Sequence, residues 1–365
     1  MDDTPAVLRS FRDRSLVLSL SDRIRRRSRK SIRIMEVCGG HTHAIHRFGL
    51  LDLLPPTIRL ISGPGCPVCV TPASYIDDAV SASIEKGATI VTFGDLLRVP
   101  GSEISLEGAS ARGANIRIIY SPIDAVEIAS SIDRDVLLLA IGFETTAPTF
   151  AVAVAEAARR GIENLYVASA LKLMPPAMTA LAEMKDCRID AFLCPGHVSA
   201  VIGSDAYRPL AERFGLACAV SGFEPVDIME SIYHLVQQVE EGRAAVYNQY
   251  GRVVKPGGNR RALDTLYGVF ESGPARWRGL GEIEESGLSL KEEYSAFDSS
   301  RLIPPRAARR GKDLSDCICP DVLTGKAEPS ECPLFGLRCR PDHPIGACMV
   351  SWEGACYIRH KYSAK

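Results

Sequence analysis

The groups best placed to do chemistry are the thiols and imidazoles of Cys38-Gly39-Gly40-His41-Thr42-His43 and of Gly63-Pro64-Gly65-Cys66-Pro67-Val68-Cys69. A thiolate beside two imidazoles is a nucleophile or a soft-metal ligand. The bland alternative for Cys38 is a buried cysteine in an ordinary strand-to-helix turn. Two residues between Cys66 and Cys69 let their sulfurs meet in a disulfide, and the motif can lower one thiol's pKa. A zinc half-site has the same spacing, with Cys38 as the third thiol to hand. A redox pair is the preferred reading. The tail holds a third concentration of sulfur: Cys317-x-Cys319, twelve residues, Cys332, six residues, Cys339. Four thiolates in one short segment suit an iron–sulfur cluster or zinc. Zinc ribbons usually use two Cys-x-x-Cys knuckles, and this spacing has none. Cys348 and Cys356 remain over, one of them a candidate redox thiol near the metal. Cys187, Cys194 and Cys218 sit in or beside apolar runs and read as core.

Strands must present these groups. β-rich runs fall at 31–37, 58–62, 88–93, 116–120, 136–141, 165–170, 191–193 and 216–220, with a further strand at 246–250. Helical segments lie between several of them, at 73–86, 124–132, 149–160, 176–184, 197–202 and 225–241. Strands alternating with helices imply an α/β chain with parallel sheets and helices on both faces. Ligands gather at the carboxyl ends of such strands. There lie Cys38, with Thr42 as a helix cap and amide dipoles favouring a thiolate, and Cys66 and Cys69. So do Asp95 in Phe93-Gly94-Asp95, Glu144 in Gly142-Phe143-Glu144-Thr145-Thr146, and His197 in Pro195-Gly196-His197-Val198-Ser199. Parallel strands would let all of them line one cleft. Glu144 either caps a helix or orients something in the cleft; His197 is structural or catalytic.

The expected organisation is a helical segment over 1–30, a first α/β domain over 31–121 and a second over 122–245, divided at Ser121-Pro122. Residues 246–365 form a small loop-rich domain with a helix near 258–271. Leu8, Phe11, Leu16, Leu18 and Leu20 give the first helix its apolar face. Half of the twelve cysteines lie in the last 49 residues. A small domain of that kind is held by something other than a large core.

Lysine plus arginine, 43, nearly balances aspartate plus glutamate, 44, so no overall basic field points to nucleic acid. The run from Arg23 to Lys30 is the exception, and reads as a solvated helix face rather than a polyanion site. No apolar run reaches the ~18 residues that span a membrane, and the basic run starts too late, and without an apolar h-region, to be a secretory signal. A cytoplasmic protein is expected, in which cysteines bind metal or do redox chemistry.

In this order the motifs resemble the HypD family of hydrogenase maturation factors, over nearly the whole chain. The carrying residues are Cys38 to His43, Gly63 to Cys69, Gly142 to Thr146, Pro195 to Ser199 and the four tail cysteines. The resemblance implies two α/β domains flanking a cleft and a third domain with a 4Fe–4S cluster on Cys317, Cys319, Cys332 and Cys339. It implies a scaffold on which the Fe(CN)2CO group of NiFe hydrogenases is built. Cys38 and a cysteine of a small HypC-like chaperone would hold the iron, and a HypE-like cyanide donor would dock on the pair. Cys66 and Cys69 would form a thiol relay fed by the cluster, as in ferredoxin–thioredoxin reductase. His41 and His43 could donate hydrogen bonds to a bound ligand or move protons. Two rivals use the same residues: a ferredoxin-type thiol oxidoreductase that has no need of Cys38, and a zinc-binding interaction module.

Overall fold

The computed structural model describes residues 10–186, 188–303 and 316–362. Leu8 and Cys187, both given roles above, lie outside them. Among the described residues eleven strands are formed: β1 Ile32–Glu36, β2 Ile58–Ser62, β3 Thr89–Thr92, β4 Ile116–Ile118, β5 Val136–Gly142, β6 Leu165–Leu171, β7 Ala191–Pro195, β8 Ala217–Ser221, β9 Val246–Asn248, β10 Phe270–Trp277 and β11 Gly281–Leu290. One parallel sheet has the order β2-β1-β7-β8-β9 and the other β4-β3-β5-β6. β10 and β11 pair as an antiparallel hairpin.

Side chains alternate across a strand, so each strand shows which layers it separates. In β1, Ile32 and Ile34 face one core, shared with Ala191 and Leu193. Met35 and the following Val37 face another. In β5, Leu137, Leu139 and Ile141 face that same second core, and Val136, Leu138 and Ala140 face a third. The second core is therefore the layer between the sheets. It is filled by helices Ala73–Lys86 and Met174–Glu183, through Ile76, Ala79, Met178 and Leu181, and by the cysteine-rich tail.

The boundary at Ser121-Pro122 does not divide the sheets. β4 before it and β5 after it both flank β3. The chain instead leaves the first sheet after β2, builds all of the second, and returns at β7. A parallel crossover can lead to any strand, so proximity in sequence did not reveal the partner.

The first described helix, Arg14–Arg27, starts at Asp13, whose carboxylate accepts from Ser15 N and Leu16 N. Its buried face is Val17, Leu20, Ser21 and Ile24; Leu16 and Leu18 point outward, against expectation. The basic run is a solvated face bound to acids of helix Pro225–Glu241. Arg27 pairs with Glu241, Glu240 accepts from the Arg29 and Lys30 amides, and Arg23 lies 4.1 Å above the Tyr233 ring.

Candidate functional site

The carboxyl ends of four neighbouring strands in the first sheet carry the site. β1 runs into Cys38, β2 into Cys66, β7 into His197, and β8 into Gly222-Phe223. Helix Gly39–Arg47 begins directly at Cys38, which is its N-cap residue. Thr42 does not cap it; its hydroxyl bonds back to Cys38 O. Gly65 seats the β2 loop on this turn. A Cβ at Gly65 would lie 2.5 Å from Cys38 Cα, and Gly39 N donates to Gly65 O at 3.2 Å. Cys66 and Cys69 are joined in a disulfide and are fully buried, with Cys66 as N-cap of helix Pro67–Val70.

Cys38 is the half-buried thiol of this group. Burial, and then the charge of Glu353, push its pKa up to about 12, against the pull of the His41 and Gly40 amides. The expected dipole-stabilised thiolate is thus absent from the free protein, because desolvation outweighs the helix start. A bound metal cation reverses that balance by taking up the sulfur's charge. Glu353 comes from the tail, and its carbonyl would touch a Cβ at Gly39 at 2.5 Å.

His41 is sealed from solvent and pulled down to about 4 by burial. Its Nε2 faces two carbonyls, Ser221 O at 3.2 Å and Gly222 O at 3.1 Å. Only a protonated Nε2 can serve both, so the neutral ring carries its free lone pair on Nδ1. That atom is buried and has no partner among the described residues. Phe223 lies between His41, at 4.7 Å, and His197, at 4.1 Å, in a stack of three rings. Gly222 N donates to Gln249 Oε1 at 3.2 Å, and Gln249 in turn donates to Asp227, which forms a bidentate pair with Arg252.

The motif's second histidine leaves the site. His43 Nε2 meets Tyr362 OH at 3.1 Å and its ring packs against Trp352. It therefore ties the Cys38 helix to the tail. Glu144 also departs from the common cleft. Its Oε1 accepts from Met174 N at 2.8 Å, capping helix Met174–Glu183, and its Oε2 has no partner among the described residues. Its electrostatic neighbours are Tyr207 and Tyr267, and burial holds it protonated up to about 7. Asp95 is exposed and faces Glu353.

The tail gathers six sulfurs rather than four. Cys317, Cys319, Cys332, Cys339, Cys348 and Cys356 line one small cavity. Cys319 Sγ and Cys348 Sγ lie 2.8 Å apart, and Ile345 N donates to Cys339 Sγ at 3.3 Å. The Cys348 thiol, and after it the charge of Arg278, draw the Cys319 pKa down. Among the described residues no three His, Cys, Asp or Glu side chains crowd closely enough to grip one ion. Helix Ala347–Val350, carrying Cys348, packs on helix Pro67–Val70, carrying Cys69.

The chain matches the HypD family, described as "Hydrogenase formation hypA family", over residues 15–363. The chain belongs to the HypD family. It is 44% identical to the hydrogenase maturation factor HypD of Azotobacter vinelandii, covering 96% of this chain and 95% of the relative. It is likewise 44% identical to HypD of Escherichia coli K12, with 96% of each covered. HypD of Cupriavidus necator is 42% identical, over 97% and 96% of the two chains. Sequence reading missed Phe223, Glu36 and the pairing of Cys319 with Cys348. Phe223 follows a strand end, the same rule that found His197. Glu36 sits two residues before Cys38, buried, with Oε1 on Ser62 and Oε2 unpartnered among the described residues. Burial pushes its pKa up to about 8. Among the described residues no helix is long and apolar enough to cross a membrane.

Proposed function

We propose that this HypD-family chain is a scaffold for assembling the Fe(CN)2CO group of NiFe hydrogenases. The observation that carries the reading is the half-buried Cys38 thiol sharing one turn, through Gly65, with a buried Cys66–Cys69 disulfide. Low-spin ferrous iron with cyanide and carbonyl ligands is the cargo. It needs a soft anionic anchor, which Cys38 supplies with a cysteine of a HypC-like chaperone. Binding releases the Cys38 proton, and His41 Nδ1 is the nearby lone pair that accepts or returns protons. Phe223 keeps both imidazoles in fixed planes. A HypE-like protein delivers cyanide from the open side of Cys38. The site lies in the cytoplasm.

The tail thiols fit a 4Fe–4S cluster held by Cys317, Cys332, Cys339 and Cys356. This assignment exchanges the expected ligand Cys319 for Cys356, because Cys319 is already engaged with Cys348. A cluster supplies electrons singly. Cys319 and Cys348 then act as a dithiol, which reduces Cys66–Cys69 by exchange. The test is anaerobic co-purification with the small partner. Cys38→Ala should fold and keep its visible absorption yet carry no infrared cyanide or carbonyl bands. Persistent bands in that variant overturn the assignment.

A further inference from the structure

The turn joining β10 to β11 is wedged between the two cysteine pairs. Arg278 N donates to Val70 O at 2.7 Å, and Arg278 Nε donates to Thr71 O at 2.9 Å. Both acceptors immediately follow Cys69. On its other side the turn meets Pro320, the residue after Cys319. Gly279 adopts φ +85, and a Cβ there would lie 2.8 Å from Pro320 Cα. The Nη2 of Arg278 is buried and has no hydrogen-bond partner among the described residues. A buried guanidinium N–H left without an acceptor is costly unless a partner arrives during function. The neighbouring Trp277 is locked by its own bond to Ser286, 2.8 Å from Nε1, so the turn is a stiff strut.

We propose that Arg278 is the positioning residue of the thiol relay, fixing the turn that bridges the Cys69 segment, through Val70 O and Thr71 O, to Pro320 beside Cys319 so that the two pairs can exchange. This rests on the relay reading given above. In the exchange, one thiol of the Cys319/Cys348 pair attacks the Cys66–Cys69 bond. A mixed disulfide forms between the segments, and the second thiol then resolves it. Two thiols and one disulfide enter, and two thiols and one disulfide leave. The electron pair passes from the tail pair to the Cys66/Cys69 pair, with two protons. The fixed charge of Arg278 accompanies the sulfur that carries negative charge while the mixed bond forms and breaks.

The test traps the intermediate in the full-length chain. Removing one cysteine of each pair, as in the Cys69→Ser, Cys348→Ser double variant and the three other combinations, leaves one sulfur on each side. After mild oxidation, peptide mass mapping measures the cross-link between segments. At least one combination should cross-link efficiently. Adding Arg278→Met should lower its rate at least tenfold, while Arg278→Lys, which keeps the charge without the forked geometry, restores part of it. In the otherwise intact chain, Arg278→Met should also shift the equilibrium between the two pairs by about tenfold, about 30 mV. If no combination cross-links, the relay reading itself fails. If the parent cross-links and Arg278→Met leaves both rate and equilibrium unchanged, the relay stands and the role of Arg278 falls. Should Arg278→Met not fold, Arg278→Lys decides, since an unchanged rate and equilibrium there refute the strut.

Discussion

Replacing Glu144 by glutamine should change how stability depends on pH. Glu144 is 1% exposed, and burial, resisted by its bond from Met174 N, raises its pKa from 4.5 to about 7. Below about pH 4.5 the group is protonated whether the chain is folded or not. As pH rises further, the unfolded chain ionises while the folded chain keeps its proton, so the folded state loses stability. The loss stops once pH passes about 7, where both states are ionised. At about 1.36 kcal/mol per pH unit the window amounts to about 3 kcal/mol. The glutamine side chain does not titrate, and it retains an oxygen for Met174 N. Urea unfolding of both proteins at about pH 5 and about pH 8 isolates the effect, because every other titrating group is common to the two. The parent should lose about 2.5 kcal/mol relative to Glu144→Gln across that interval. Parallel pH profiles, or a parent that gains on the variant as pH rises, would show that Glu144 is ionised in the folded chain and would refute the reasoning.

Gly65→Ala drives a methyl group into Cys38 Cα at 2.5 Å and threatens the Gly39 N–H to Gly65 O bond. The obstacle is backbone, so a cost of about 3 kcal/mol is expected, read as a thermal midpoint lower by several degrees; an unchanged midpoint counts against the close seating. Serine at Cys317, Cys332, Cys339 or Cys356 should bleach the visible absorption of the anaerobic protein, whereas serine at Cys319 or Cys348 should leave it. Loss of colour in the Cys319 variant with retention at Cys356 would restore the ligand set first expected. His43→Phe keeps the aromatic contacts of the tail but loses the bond to Tyr362, so the tail should fray sooner, detected as faster amide exchange over 355–362 with no change at His41. Equal exchange rates would mean that the bond holds nothing.

Strands and long helices were legible because their sequences are nearly continuous apolar or sharply amphipathic. β2, helix Ala73–Lys86 and helix Pro225–Glu241 form over the expected residues, and the other parallel strands differ by a residue or a few at their ends. The β10–β11 hairpin was missed. Gly273, Pro274, Gly281 and four glutamates dilute its alternation, and a bulge at Gly273/Ala275 breaks its register. Much of the site could be read as well. Cys38, Cys66 and His197 do end neighbouring parallel strands, which is what brings them together. The departure of His43 follows from helix geometry, since two residues along a helix turn the side chain about 200° away from His41. Glu144 was misplaced for a different reason. A carboxylate at a strand end can cap a helix from another part of the chain, and only the tertiary structure chooses which.

The route of the chain between its sheets explains why the proposed chemistry must run through sulfur. Helix Pro67–Val70 is the first piece of chain to leave the first sheet, and it packs at once against β5 of the second sheet and against helix Ala347–Val350 of the tail. Three parts of the molecule therefore close over the Cys66–Cys69 disulfide, which is at most 3% exposed at Cys66 and sealed at Cys69. A bulky reductant in solvent cannot approach such a bond along its axis, and attack on a disulfide requires a sulfur that can. The tail contributes Cys348 on one of the packed helices, with Cys319 beside it. Burial that silences these thiols toward the outside thus leaves them one class of partner, each other. Cys38, half-buried on the adjoining turn, is the member of the group that the proposed cargo could reach from outside.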